Sequence, residues 1–347
     1  MSNQVDIDDF MIQLRSTGAS RRMPIDQAVA LESARLALPV TGGPSGRGYS
    51  WYKTWFQCPH KFMRLRDATV RTEIDPPEYL ELGALYHVLH ALDQAPLLRF
   101  AALHERGLVR SDFAPVEDSE AVQVRDGSVE RMINALMLRG ASANKQKQPK
   151  LGPSLTIVQD AVRLWRYHSN YYDAEDLEPL AIEWYAEHPD RAHDGGPLYT
   201  CRYDLIGRVG QNDPMGLVPG TVIVRELKTS KWLYESVKEG WSLDGEVLGQ
   251  LWLWRASGCE ERFGELGGVV VDVVTKGKTP AFHRMLVPIN SPPVSRYERW
   301  IRIADADIAS ARASGLVRQN FAACWGDRFG PCPLTQECEQ LAWRTEP

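Results

Sequence analysis

No apolar run in the chain approaches the roughly 20 residues that span a bilayer, which excludes an ordinary transmembrane helix and predicts no membrane partner. The start, Met-Ser-Asn-Gln-Val-Asp-Ile-Asp-Asp, lacks the basic stretch and apolar core of a signal peptide, so a cytoplasmic protein is expected. No Gly-x-x-x-x-Gly-Lys-Ser/Thr run occurs, which excludes a recognisable ATP motor of the P-loop kind. Internal repeats and low-complexity tracts are missing too. Excess positive charge is absent: the formal net charge is −5, so any grip on nucleic acid has to come from a local groove, not from bulk charge. Cysteines number six, and in a cytosolic chain they argue against a disulfide framework and toward metal or chance.

What is present is a folded chain of 347 residues, 44% hydrophobic and 24% charged, with eleven tryptophans. That length suits one large domain or two ordinary ones. Most of the tryptophans are expected in the core, with some available as stacking platforms for unpaired bases. Residues 1–49 read as an N-terminal helix (Pro24 to Leu38) and a linker rich in breakers, and 50–347 as the main domain. Ser50 is placed to cap a helix carrying Trp51, Trp55 and Phe56, which Pro59 kinks or restarts. Over 78–92, Tyr79, Leu82, Tyr86, Leu89 and Leu92 recur at helical spacing.

A helical pattern fills most of 97–178, an insertion interrupted by an exposed lysine-rich loop. Strands are predicted over 179–187, 199–209 and 221–229, the last two as an antiparallel hairpin around the Gly/Pro/Asn/Asp-rich 210–220. A helix (243–256), two strands (267–275, 281–288) and a helix (294–314) follow. The order predicts an α/β fold, a mixed central sheet flanked by helices, closing on a cysteine-rich tail over 320–347.

Chemistry concentrates on the predicted strand Val222-Ile-Val-Arg-Glu-Leu-Lys-Thr-Ser230. Strand side chains alternate, so Val222, Val224, Glu226 and Lys228 share a face that turns from apolar to charged. Buried ionisable groups need a partner or a metal. Asp204, on the neighbouring hairpin strand, is placed to face Glu226; two carboxylates there repel unless a divalent cation relieves them. Hard oxygen ligands favour magnesium or manganese over zinc. Lys228 would steady a developing hydroxide or a scissile phosphate. The competing structural reading makes the acids strand caps and Lys228 a surface ion-pair partner. His87 adds a nitrogen one turn after Gly83, whose missing side chain permits a close helix approach, and Gln250 offers an amide on the following helix.

Together these segments resemble the PD-(D/E)xK nuclease superfamily, and within it the RecB-like exonuclease branch. The matching stretches are Gly83-Ala-Leu-Tyr-His87, Arg202-Tyr-Asp204-Leu-Ile206, Glu226-Leu-Lys228-Thr-Ser230 and Gln250-Leu-Trp-Leu-Trp254, over roughly 50–340. Trp254 replaces the usual tyrosine, and 117 positions separate His87 from Asp204, more than a minimal core needs. The resemblance implies a restriction-endonuclease-like core and metal-dependent hydrolysis of DNA, as an exonuclease or end-processing enzyme on single-stranded or frayed ends. In that reading His87, Asp204, Glu226 and the Leu227 carbonyl hold Mg2+ or Mn2+, Lys228 is the catalytic lysine and Gln250 positions DNA. Glu183, on the preceding strand, is a further acid where such proteins often carry one. The alternatives are a non-catalytic DNA- or partner-binding module and a structure-specific endonuclease. A helicase or recombination protein, if it takes part, is a separate chain.

Cys324, Cys332 and Cys338 fall within fifteen residues, and Cys58 offers a fourth thiolate. Four thiolates suit zinc or an iron–sulfur centre equally on count. The pattern is similar to that of CRISPR-adaptation nucleases and the AddB nuclease domain, which implies a 4Fe-4S cluster stapling the ends of the domain. Cys201 and Cys259 read as packing cysteines.

Overall fold

The structure, a computed structural model, describes residues 47–66, 78–94, 155–172, 175–231, 233, 240–318, 320 and 334. The N-terminal helix, most of the insertion and the tail cysteines Cys324, Cys332 and Cys338 lie outside these residues.

Five strands pair in sequence order: β1 (Leu177–Glu187), β2 (Thr200–Val209), β3 (Val222–Ser230), β4 (Leu266–Thr275) and β5 (Phe282–Pro288). The first three run antiparallel, β4 lies parallel to β3, and β5 returns antiparallel. The mixed sheet and the hairpin are as expected from the sequence. The helices are α1 (Tyr49–Gln57), α2 (Pro59–Arg66), α3 (Glu78–Gln94), α4 (Leu155–Tyr171), α5 (Gly245–Ala256), α6 (Cys259–Phe263) and α7 (Val294–Ser314). A parallel pair needs a crossover, and α5 and α6 supply it between β3 and β4.

Near-continuous Val and Ile runs make β3 and β4 fit for burial on both faces. One core joins Val222, Val224, Val269 and Val271 to α5, α7 and the aromatic α1–α2 pair. A second joins Leu227 and Val274 to Leu82, Leu85, Tyr86 and Leu89 of α3 and to Ile157 and Leu164 of α4. The sheet is therefore covered by helices on both faces, an α/β arrangement. Because α4 packs on α3 and the sheet, this helix of the predicted insertion is part of the scaffold, and β1 already opens at Leu177, inside the insertion limit of 178.

The helix cap and the tryptophans differ from the expectation. Gly48, not Ser50, occupies the N-cap of α1, with no side-chain cap bond. Glycine is tolerated there, and Ser50 sits inside the first turn, where its carbonyl accepts from Thr54 Oγ1 at 2.8 Å. The described tryptophan side chains are packed, not presented: Trp51, Trp55, Trp184, Trp252 and Trp254 are buried, and Trp165 and Trp300 are half-buried against the cores. Among the described residues no helix is long and apolar enough to cross a membrane.

Candidate metal-binding active site

The site lies where α3, β2, β3 and α5 meet. Its closeness depends on Gly83: a Cβ there would stand 3.2 Å from Thr229 Oγ1, so a bare position lets α3 approach β3. One turn later His87 Nδ1 stands 3.2 Å from Asp204 Oδ2. The same oxygen accepts from the Leu227 N–H at 2.8 Å, tying the middle of β2 to β3 just beyond the Leu205–Arg225 pairing.

His87, Glu183 and Asp204 each bring a ligand atom to one point, with these atoms all within 4.8 Å of one another. Glu183 is held there by unusual backbone. Its φ of 51° makes it the single positive-φ residue other than glycine among those described, close to a break in β1–β2 register between Pro179 and Ala181. Arg202 Nε fixes Glu183 Oε2 at 2.7 Å. A small recess with about 10 Å³ of free space, room for one water-sized sphere, opens among His87, His90, Glu183, Asp204 and Arg225.

Glu226 is 2% exposed and faces α5. Its Oε1 accepts from Lys228 Nζ at 2.6 Å and its Oε2 from Gln250 Nε2 at 2.6 Å. Lys228 Nζ also meets Glu246 Oε2 at 2.7 Å. Asp244 caps α5 by accepting from the backbone N–H groups of Glu246 and Val247, which sets the first turn that carries Glu246. Gln250 is fully buried: its amide nitrogen is occupied by Glu226 and its Oε1 has no partner. Trp254, in the position where the resemblance has tyrosine, packs edge-on to Tyr203 at 5.7 Å between centroids, and Tyr203 donates its hydroxyl to the Gln250 carbonyl.

The electrostatics show a site overloaded with acid. Burial pushes Glu226 up to about 8, with Asp204 adding to the rise and Lys228 opposing it. Burial works against charge on His87, yet Asp204, Glu226 and Glu183 outweigh it and carry the imidazole up to about 9. Asp204 also resists burial, because His87 and Lys228 hold its carboxyl below the usual range. Lys228 is raised well above an ordinary lysine by Glu226, Glu246 and Asp204 despite its burial. A cation fits such a donor set: a nitrogen and clustered hard oxygens beside a small recess, with carboxylates that repel until a positive charge joins them.

No protein-family model matches the chain, and no curated protein does. Among solved structures, a protein from Eubacterium rectale described as a "Putative exonuclease" aligns over 89% of this chain and 90% of its own, at 11% identity and a TM-score of 0.42. The protein SSO0001 aligns over 62% of this chain and 74% of its own, at 16% identity and a TM-score of 0.24. Likenesses this distant do not bear on activity.

The structure brings His87, Asp204, Glu226, Lys228 and Gln250 into one locality from four separate elements, α3, β2, β3 and α5. Glu226 stands beside the three-residue ligand group, turned to Lys228 and Gln250. The place next to His87 and Asp204 belongs to Glu183, which was legible only as an acid on an earlier strand. Cys58 is buried at the α1–α2 junction, where its Sγ accepts from the Lys61 N–H at 3.5 Å. Asn320 Nδ2 donates to the Gln57 carbonyl at 2.7 Å, next in sequence to Cys58. Cys201 and Cys259 are buried and free.

Proposed function

We propose that this protein is a metal-dependent nuclease that hydrolyses DNA phosphodiester bonds, acting on single-stranded or frayed ends. The observation that carries the reading is the convergence of His87, Glu183 and Asp204 within 4.8 Å, beside a buried Glu226–Lys228 pair. Mg2+ or Mn2+ held by His87, Glu183 and Asp204, with Glu226 and the Leu227 carbonyl as the further ligands the resemblance implies, would supply Lewis acidity toward a phosphate oxygen.

The chain's own residues prepare the rest. Lys228 is fixed on its inner side by Glu226 and on its outer side by Glu246, which is 47% exposed. A phosphate entering from solvent can take the outer place, putting the ammonium against the charge that develops in the transition state. Gln250 holds Glu226 Oε2 from behind, so that carboxylate keeps its orientation while Lys228 changes partner. Asp204, bonded to the Leu227 N–H, locks β2 and β3 at one separation where their backbone pairing stops.

The test is cleavage of end-labelled linear and circular DNA with Mn2+ or Mg2+. Wild-type protein should degrade linear single strands. Lys228→Ala and Asp204→Ala should each lower the rate about a thousandfold or more, in line with loss of a group that stabilises transition-state charge. Wild-type rates in either variant contradict the assignment, and cleavage of circles would convert it to an endonuclease.

A further inference from the structure

His90 lies one turn beyond His87 on α3, so both imidazoles come to the same side of the helix. It is 6% exposed and lines the recess shared by His87, Glu183 and Asp204. Its Nε2 is buried with no hydrogen-bond partner. Leaving a buried ring nitrogen unpaired is destabilising, so a simple core position would favour phenylalanine or leucine here. The ring is also held in one orientation. Tyr86 meets it edge-on at 4.6 Å and His168 at 4.3 Å between centroids. His168 in turn rests 3.5 Å from Asp272, itself fixed by Arg284. Burial, with His168, Arg225 and His87 around it, keeps this imidazole neutral, so it can accept or donate one hydrogen bond.

We propose that His90 is a positioning residue that holds one water molecule in the recess, next to the cation site of His87, Glu183 and Asp204. The free space matches one water, and the recess offers the two to four polar partners that a buried water needs. The inference rests on the nuclease reading for its catalytic consequence, but not for the water itself. On the nuclease reading, a solvent molecule oriented by this imidazole adjoins the His87, Glu183 and Asp204 donors of the cation site.

The experiment pairs high-resolution crystal structures of wild-type and His90→Phe protein, grown with Mn2+, with steady-state cleavage. Wild type should show an ordered water within hydrogen-bond distance of His90 Nε2, absent in His90→Phe. The variant should stay folded, with a cooperative unfolding transition, so that its loss of rate reports on the missing water. Its kcat should fall about 10- to 100-fold at unchanged KM, the range for residues that orient a metal site's surroundings. His90→Gln should recover part of the loss. An empty recess in the wild-type crystal, or wild-type kcat in His90→Phe, overturns the proposal. Should the wild-type protein fail to cleave DNA, the nuclease reading falls, while the crystal structures still decide whether His90 holds the water.

Discussion

Arg225 and Glu226 are neighbours on β3, both nearly fully buried, yet they belong to charge clusters of opposite character. Arg225 pairs with Glu175 and, at 3.4 Å, with Asp272. Asp272 receives Arg284 through two bonds of 2.5 and 2.6 Å, and Arg284 also reaches Glu175 at 2.8 Å. Two guanidinium groups meet two carboxylates, and Asp272 is held well below the carboxylate range because His168, Arg284 and Arg225 outweigh its burial. One residue along, Glu226 shares its surroundings with Asp204 and Glu246 against the single ammonium of Lys228, and burial together with Asp204 pushes its carboxyl up to about 8. The balanced cluster fastens β3, β4 and β5 to the segment before β1. The unbalanced one is an invitation to a cation. Burial alone does not separate scaffold from site; charge balance does.

The comparison breaks most forcefully at Asp272. Asp272→Ala strips Arg225 and Arg284 of a buried partner, and breaking a buried pair in this way costs about 3–5 kcal/mol. Urea unfolding should register that loss. A change below about 1 kcal/mol would mean that the Arg225 cluster is not a structural clamp.

The second effect is smaller and depends on pH. Unfolded glutamate titrates near 4.3, whereas Glu226 titrates at about 8 in the fold. Between those values the folded chain binds the extra proton, so stability falls as pH rises. His87, raised to about 9, stabilises fully below its unfolded value of about 6.5 and loses that contribution as pH rises through 9. Asp204 is depressed and acts in the opposite sense, but only on the acid side. Metal-free protein in EDTA should therefore lose a few kcal/mol, to order of magnitude, between pH 5 and pH 9. Glu226→Gln should remove the part that ends near pH 8. A flat or rising profile in the wild type contradicts the picture of an acid-overloaded site.

Much of this architecture was legible in the sequence because periodicity reports burial. The α3 repeat of Leu82, Tyr86 and Leu89 does face the core, and the hairpin of β2 and β3 follows from a turn-rich linker between alternating strands. The close approach at Gly83 was legible as well, since a missing side chain next to a histidine one turn later has few other uses. Glu183 was harder to read. Its place depends on a positive φ and a register break, which leave no mark in an alternating pattern such as Ile182-Glu-Trp184. Gln250 was readable as a polar residue on a helix, but its partner Glu226 is visible only once α5 is folded against β3. His90 carries no mark in the sequence, because an unpaired nitrogen is a property of the packed structure alone.

The most direct test of the cation site is calorimetric titration of the metal-free protein with Mn2+, alongside Asp204→Asn, Glu183→Gln and the surface control Asp190→Asn. The account predicts saturable binding that weakens at least about tenfold in the first two variants, as loss of a ligand in a small donor set requires, and is unchanged in the control. Equal Mn2+ affinity in wild type and Asp204→Asn, or no binding to the wild type, would contradict it.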